Sequence, residues 1–126
     1  MRTSLKGTNI KLLESTREYV DRKILRIVER FLLARRSFSE GGIKDDEPIA
    51  LDLEVGKTTR HHKTGPYFRA EANLSVGKKL LRAEAVGENL NEAIDILQEE
   101  LEREIKKFKE RKRALMLKGA RRLKGK

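Results

Sequence analysis

Read for its apolar and polar positions, the chain divides into a few strongly patterned segments. Residues 49–55, IALDLEV, alternate without a fault: Ile49, Leu51, Leu53 and Val55 point one way, and Ala50, Asp52 and Glu54 the other. That period of two predicts a half-buried strand. Residues 68–76 repeat it, with Phe68, Ala70, Ala72, Leu74 and Val76 against Arg69, Glu71, Asn73 and Ser75. A turn at Gly77-Lys78-Lys79 follows, and then a third strand through LLRAEAV, so the last two strands read as an antiparallel hairpin. A shorter strand is expected in RTSLKGTNI, with Leu5 and Ile10 as its apolar positions.

Two segments follow the helical period instead. Over about 14–36, Val20, Ile24, Ile27, Val28 and Phe31 fall within an arc of roughly 100°, which must face a core. Arg22, Lys23, Arg26 and Arg30 gather on another arc of the same helix, apart from Glu18, Asp21 and Glu29. From Leu90 to at least Phe108, and as far as Leu117 if the pattern continues, Leu90, Ile94, Leu97, Leu101, Ile105 and Phe108 keep within an arc of about 80°. Asn89 is placed to cap that helix, with Glu92 three residues on. Paired glycines, acids and a proline in SFSEGGIKDDEP read as a loop between the first helix and the strands. The order strand, helix, three strands, helix predicts an α+β fold: a two-layer sandwich in which one four-stranded sheet carries two helices on one face.

Charge adds a second layer of information once it is located. The 126 residues carry 30 Lys and Arg against 20 Asp and Glu, a net of +10. Residues 105–126 hold 11 bases and one acid, Glu110, so the rest of the chain balances. A neutral body over 1–104 with a strongly basic C-terminal end is thus expected, in the manner of an interaction tail for a polyanion, the domain being placed at 1–113 and a basic arm at 114–126. A helix running to Leu117 would be about 42 Å long and would outrun a compact body roughly 35 Å across. Six acids and only Arg103 as a base occupy 92–104, which reads as a solvated, acidic front half.

The candidate chemistry narrows by elimination. With no cysteine there are no disulfides, thiolate ligands or thiol nucleophiles. His61 and His62 sit in a basic loop beside Lys57, Arg60 and Lys63, but adjacent residues of an extended loop point apart and no carboxylate lies at ligand spacing, so no metal and no cofactor is expected. Neither a catalytic triad order nor a phosphate-binding glycine loop is present, so no enzyme activity and no small-molecule substrate is expected. The residues MRTSLKGTNI contain no apolar segment of secretory type and no apolar run reaches membrane-spanning length, so a cytoplasmic protein is the expectation. Leu115, Met116 and Leu117 do not make an amphipathic face for a membrane surface. RNA is the favoured partner. The candidate contacts are the first-helix stripe, the loop with Lys57, Arg60, His61, His62 and Lys63, the hairpin set Lys78, Lys79 and Arg82, and the tail over 106–126, with Lys106, Lys107, Lys109, Arg111, Lys112 and Arg113 foremost. With 5% aromatic residues, recognition of shape and phosphate is expected over base stacking.

Several stretches resemble a known family. LKGTNI (5–10), REYVDRKI (17–24), FRAEANLSV (68–76) and LLRAEAVGENLNEAIDILQEELEREIKKFKER (80–111) are similar, in this order, to the ribosome hibernation promoting factor family, which includes ribosome-associated inhibitor A. The resemblance implies a fold similar to double-stranded RNA-binding domains and a non-enzymatic factor, monomeric when free. Such a factor binds the small ribosomal subunit between head and body, where it occupies the mRNA and tRNA channel and stops translation by steric occlusion. It also implies that Arg22, Lys23 and Arg26 of the first helix and Arg103, Lys106, Lys107 and Lys109 of the second touch small-subunit rRNA, with Lys78, Lys79 and Arg82 as additions. The chain departs from the family at Asn89-Leu90-Asn91, where an acid-Met-Tyr triplet is frequent, and at Glu100, where lysine is common. Its short basic ending, LMLKGARRLKGK, is that expected of a short form without a dimerisation domain. The other reading of the same residues is a ribosome-assembly or general double-stranded-RNA-binding module.

Overall fold

In the computed structural model, residues 2–33, 48–57 and 68–124 are described. Strands β1 (Arg2–Thr8), β2 (Ile49–Lys57), β3 (Phe68–Val76) and β4 (Lys79–Gly87) form one sheet in the order β1-β2-β3-β4. β1 runs parallel to β2, and the other two pairings are antiparallel. The parallel pair follows from the first helix, which crosses back between β1 and β2. Ile10, expected on the first strand, lies past its end, in a turn where Asn9 takes the left-handed backbone (φ 58°) that asparagine tolerates.

The hairpin between β3 and β4 closes on two residues. Gly77 adopts φ 60° and Lys78 stays at negative φ, the arrangement that needs glycine at the first central position. The Gly77 amide donates to the Pro48 carbonyl (2.9 Å), which ties the turn to the start of β2. At the far end of β2 a Cβ on Gly56 would sit 2.1 Å from the Thr8 carbonyl oxygen, so only glycine lets β1 and β2 stay in register there.

Both helices lie on the same face of the sheet, as expected. Ile49, Leu51, Leu53 and Val55 of β2, Ala70, Ala72, Leu74 and Val76 of β3 and Leu81, Ala83 and Ala85 of β4 pack against Val20, Ile24, Ile27 and Val28 of the first helix. Ala93, Ile94, Leu97, Leu101 and Ile105 of the last helix complete that cluster. No polar or charged residue among those described is buried. The first helix runs from Glu14 to Leu33 but is not uniformly α-helical, because two stretches, Asp21–Leu25 and Glu29–Leu33, widen into π turns. The C-terminal helix is longer than its apolar pattern required: it runs unbroken from Leu90 to Lys124, 35 residues and roughly 52 Å. Its predicted cap is present, with the Glu92 amide donating to the Asn89 side-chain oxygen (2.8 Å). Beyond Ile105 the burial ends. Phe108, Lys109 and Lys112 are half-buried, and Arg113, Ala114, Leu115, Leu117, Lys118 and Gly119 are all exposed.

Candidate nucleic-acid interface

The two helices lie side by side and run the same way, joined by contacts at two levels. Near their beginnings the Tyr19 hydroxyl donates to Asp95 (2.5 Å), and Lys23 lies 3.7 Å from the same carboxylate. Near the far end the Lys109 ammonium donates to the Phe31 carbonyl (2.7 Å), where a cation suits the negative end of the first helix. Lys106 and Lys109 flank the Phe31 ring at 5.9 and 5.8 Å. Asp95 belongs to the acidic stretch expected to be a solvated face. It is instead half-buried between the helices. Its hydrogen bond raises the Tyr19 hydroxyl above its ordinary value of 10.0; partial burial and the Asp95 charge act the same way, and Arg22 opposes them.

These contacts order the cations. Arg22, Arg26 and Arg30 line the exposed side of the first helix, and Arg26 and Arg30 make no ion pair with a described residue. Lys23, the fourth member of the stripe, is partly engaged by Asp95; it and Arg22 each lie 5.7 Å from the Tyr19 ring centre. On the last helix the transition from acid to base is bridged locally: Arg103 pairs with Glu100 (2.7 Å), Lys106 with Glu102 (3.9 Å) and Lys107 with Glu104 (3.8 Å). These are exposed pairs worth little energy, and phosphate can displace them. Past Glu110, Arg111, Arg113 and Lys118 have no ion pair with a described residue. Lys112 lies 5.9 Å from the Phe108 ring.

Topology then gathers one end of the molecule. The β3–β4 turn is bonded to Pro48 at the start of β2. The last helix starts against Gly87 at the far end of β4 and runs back toward the turn, and its Lys109 meets Phe31 at the end of the first helix. The end of the first helix, the β3–β4 turn and residues 106–113 thus lie at the same end. Lys78 and Lys79 in that turn are exposed, without an ion pair among the described residues. Arg30, Lys78, Lys79, Lys106, Lys107, Lys109 and Arg111–Arg113 therefore share a basic end. Lys57 does not. It ends β2 roughly 26 Å away at the opposite end of the sheet, 5.8 Å from the Phe68 ring. Arg60, His61, His62 and Lys63 lie outside the described residues.

Arg82 is also separate, for a different reason. It lies on the sheet face turned away from the helices, where its guanidinium pairs with Glu71 at 3.0 Å. Arg69 on the same face pairs with Glu71 (3.3 Å) and Glu84 (2.8 Å), and Arg2 with Asp52 (3.7 Å). Its closeness in sequence to Lys78 and Lys79 is what suggested the grouping, and strand alternation separates them. Lys118, which the sequence places in the basic tail without naming it singly, is exposed on the unbroken helix. Among the described residues no group of three His, Cys, Asp or Glu could hold a metal ion, and no helix is long and apolar enough to cross a membrane.

The chain is thus a two-layer α+β domain with one cation-lined helical side, and comparison with known proteins gives the family. Residues 3–113 match the family described as Sigma 54 modulation protein / S30EA ribosomal protein, and the chain belongs to it. This agrees with the resemblance drawn from the sequence. A curated relative, the "Ribosome hibernation promotion factor" of Picosynechococcus sp. (strain ATCC 27264 / PCC 7002 / PR-6), is 25% identical over 111 residues, 88% of this chain and 50% of that protein. The chain thus spans about half the length of that relative. Among solved structures, the Protein Y N-terminal domain of Thermus thermophilus is similar, with a TM-score of 0.61, 23% identity and coverage of 86% of this chain and 99% of that one. A ribosomal subunit interface protein from Coxiella burnetii has a TM-score of 0.61 at 16% identity, with 86% and 98% covered. At these identities the two structures establish the fold.

Proposed function

We propose that this protein is a ribosome hibernation factor: it binds the small ribosomal subunit in the channel used by mRNA and tRNA and inhibits translation by occupying it. The observation that carries this is the run of cations without an ion pair to a described residue, Arg22, Arg26 and Arg30 on the first helix with Lys78, Lys79, Arg111 and Arg113 at the basic end, on a member of the S30EA family with a relative named as a hibernation promotion factor. Arg22, Lys23, Arg26, Arg30, Lys78, Lys79, Arg103, Lys106, Lys107, Lys109, Arg111, Lys112 and Arg113 contact rRNA phosphates. Arg82 and Lys57 sit apart from that run and contribute less.

Steric occlusion needs no bond to be made or broken. A folded body about 35 Å across, held by phosphate contacts, excludes any other occupant of the same channel. Neutralising about eight phosphates gives a log–log salt slope of about −6 to −7. Co-sedimentation with purified small subunits tests both points. Binding should fall with that slope, and mRNA together with initiator tRNA should displace the protein. Retention at molar salt, or indifference to the competing ligands, would refute occlusion of the channel; a preference for immature subunits would identify an assembly factor instead.

A further inference from the structure

The sheet ends in two edge strands, and they differ. β4 has nine residues against seven in β1, contains no proline, and pairs with β3 without a bulge, so its backbone lacks the features that blunt an edge. Its first pair, Val76 with Lys79, closes a two-residue turn and exchanges hydrogen bonds. By alternation Lys79, Leu81, Ala83, Ala85 and Gly87 bond to β3. The N–H and C=O groups of Leu80, Arg82, Glu84 and Val86 therefore point out of the edge, and no described residue bonds to them there. The side chains of the same four residues stand exposed on the open sheet face. Among the described residues, Leu80 and Val86, exposed at 54% and 44%, are two of the three large apolar side chains left open before the projecting end of the last helix. Arg82 and Glu84 keep 65% and 57% of their side chains exposed while paired with Glu71 and Arg69, so each has room for a second partner.

These four residues complement a second copy of themselves. With two β4 strands set antiparallel about a two-fold axis at Ala83, Arg82 of each copy faces Glu84 of the other, and Leu80 faces Val86. The residues that face each other are those with free backbone groups, so the pairing also closes about eight backbone hydrogen bonds. On the inner face Leu81 meets Ala85. The neighbouring registers fail: centred one residue earlier, Arg82 meets Arg82, and one residue later, Glu84 meets Glu84. β1 carries no such code, since Arg2, Ser4, Lys6 and Thr8 on the same face include two bases and no acid. The first helix packs over β1, where Thr3, Leu5, Arg17 and Asp21 line a cleft between them, so the arginine stripe lies away from a partner at β4.

We infer that β4 is a self-association edge, through which two copies of this chain join their four-stranded sheets into one, with the helices of both on the same face. The family resemblance implies a monomer when free; the pairing is a property of the free chain and does not depend on ribosome binding. Sedimentation equilibrium of the full chain without ribosomes, from about 10 µM to about 1 mM, tests it. The parent should pass from one copy to two. Arg82→Glu and Glu84→Arg each set like charges opposite one another twice, and each should weaken association tenfold or more. An equimolar mixture of the two variants brings opposite signs together again and should associate as the parent does, and so should the variant carrying both changes. Amide exchange identifies the edge: Leu80, Arg82, Glu84 and Val86 should gain protection as concentration rises, and β1 should not. A single copy at every concentration, association indifferent to both reversals, or a mixture and double variant that both stay apart overturns the pairing. Protection of those four amides at the mass of one copy assigns the edge to another segment of the chain, and protection only with small subunits assigns it to a ribosomal partner; either result overturns self-association.

Discussion

On the sheet face away from the helices, Arg2, Lys6, Arg69 and Arg82 share the surface with Asp52, Glu54, Glu71 and Glu84, as many acids as bases. The groups are matched strand to strand: Arg2 to Asp52, Arg69 to Glu84, Arg82 to Glu71, with Ser4 and Thr8 donating to Asp52 and Glu54. The helical side carries Arg22, Arg26 and Arg30 with no such matching, and its basic end adds Lys78, Lys79, Arg111 and Arg113. Both sides are rich in arginine, yet on the open face only Lys6 has no ion pair with a described residue, whereas the second side offers several cations that phosphate would not have to win from a carboxylate. Pairing, more than the number of bases, therefore distinguishes the proposed binding side.

The largest expected effect lies beneath the helices. Leu74→Ala empties a fully buried site on the inner sheet face and should cost about 2–5 kcal/mol, read as a lower urea midpoint; a smaller loss would mean the helices collapse onto the gap. Next is the cationic stripe. Arg22→Gln, Arg26→Gln and Arg30→Gln together should lower affinity for small subunits about 100-fold, about 2.7 kcal/mol, and flatten the salt slope by roughly two to three. An unchanged slope would break the comparison between the two sides.

Tyr19→Phe removes a bond between the helices and should cost about 1 kcal/mol at neutral pH. The Tyr19 hydroxyl titrates higher folded than unfolded, so its contribution is complete below about pH 10 and is lost as pH rises through the folded value. The difference in urea midpoint between the parent and Tyr19→Phe should hold from pH 7 to 9 and shrink above 10. The smallest effect is expected on the open face. Arg82→Ala should change stability by no more than about 0.5 kcal/mol and ribosome affinity less than about twofold, because its charge is already matched to Glu71. A loss comparable to the helical triple variant would place RNA on that face.

Much of the candidate site was legible because it is periodic. The stripe of Arg22, Arg26 and Arg30 is a property of one helix, and it was read from spacing alone. Lys78 and Lys79 were found because a two-residue turn announces itself with glycine. Arg82 lies on the opposite face and pairs with Glu71, which its nearness in sequence to Lys78 and Lys79 does not reveal. Tyr19, Asp95 and the Lys109–Phe31 contact carried no signal, since each joins positions more than 70 residues apart.

The sequence by itself determined the strands, the two helices, the apolar side of each and the concentration of positive charge at the C-terminal end, all of which are local patterns of period and composition. The tertiary structure alone decided that β1 pairs in parallel with β2, that Asp95 lies between the helices and that Arg82 is neutralised on the far face. It also decided that the first helix, the β3–β4 turn and residues 106–113 meet at one end. The physical reason is that burial is encoded residue by residue, whereas which charges neutralise one another depends on distances set only when the chain has closed on its core.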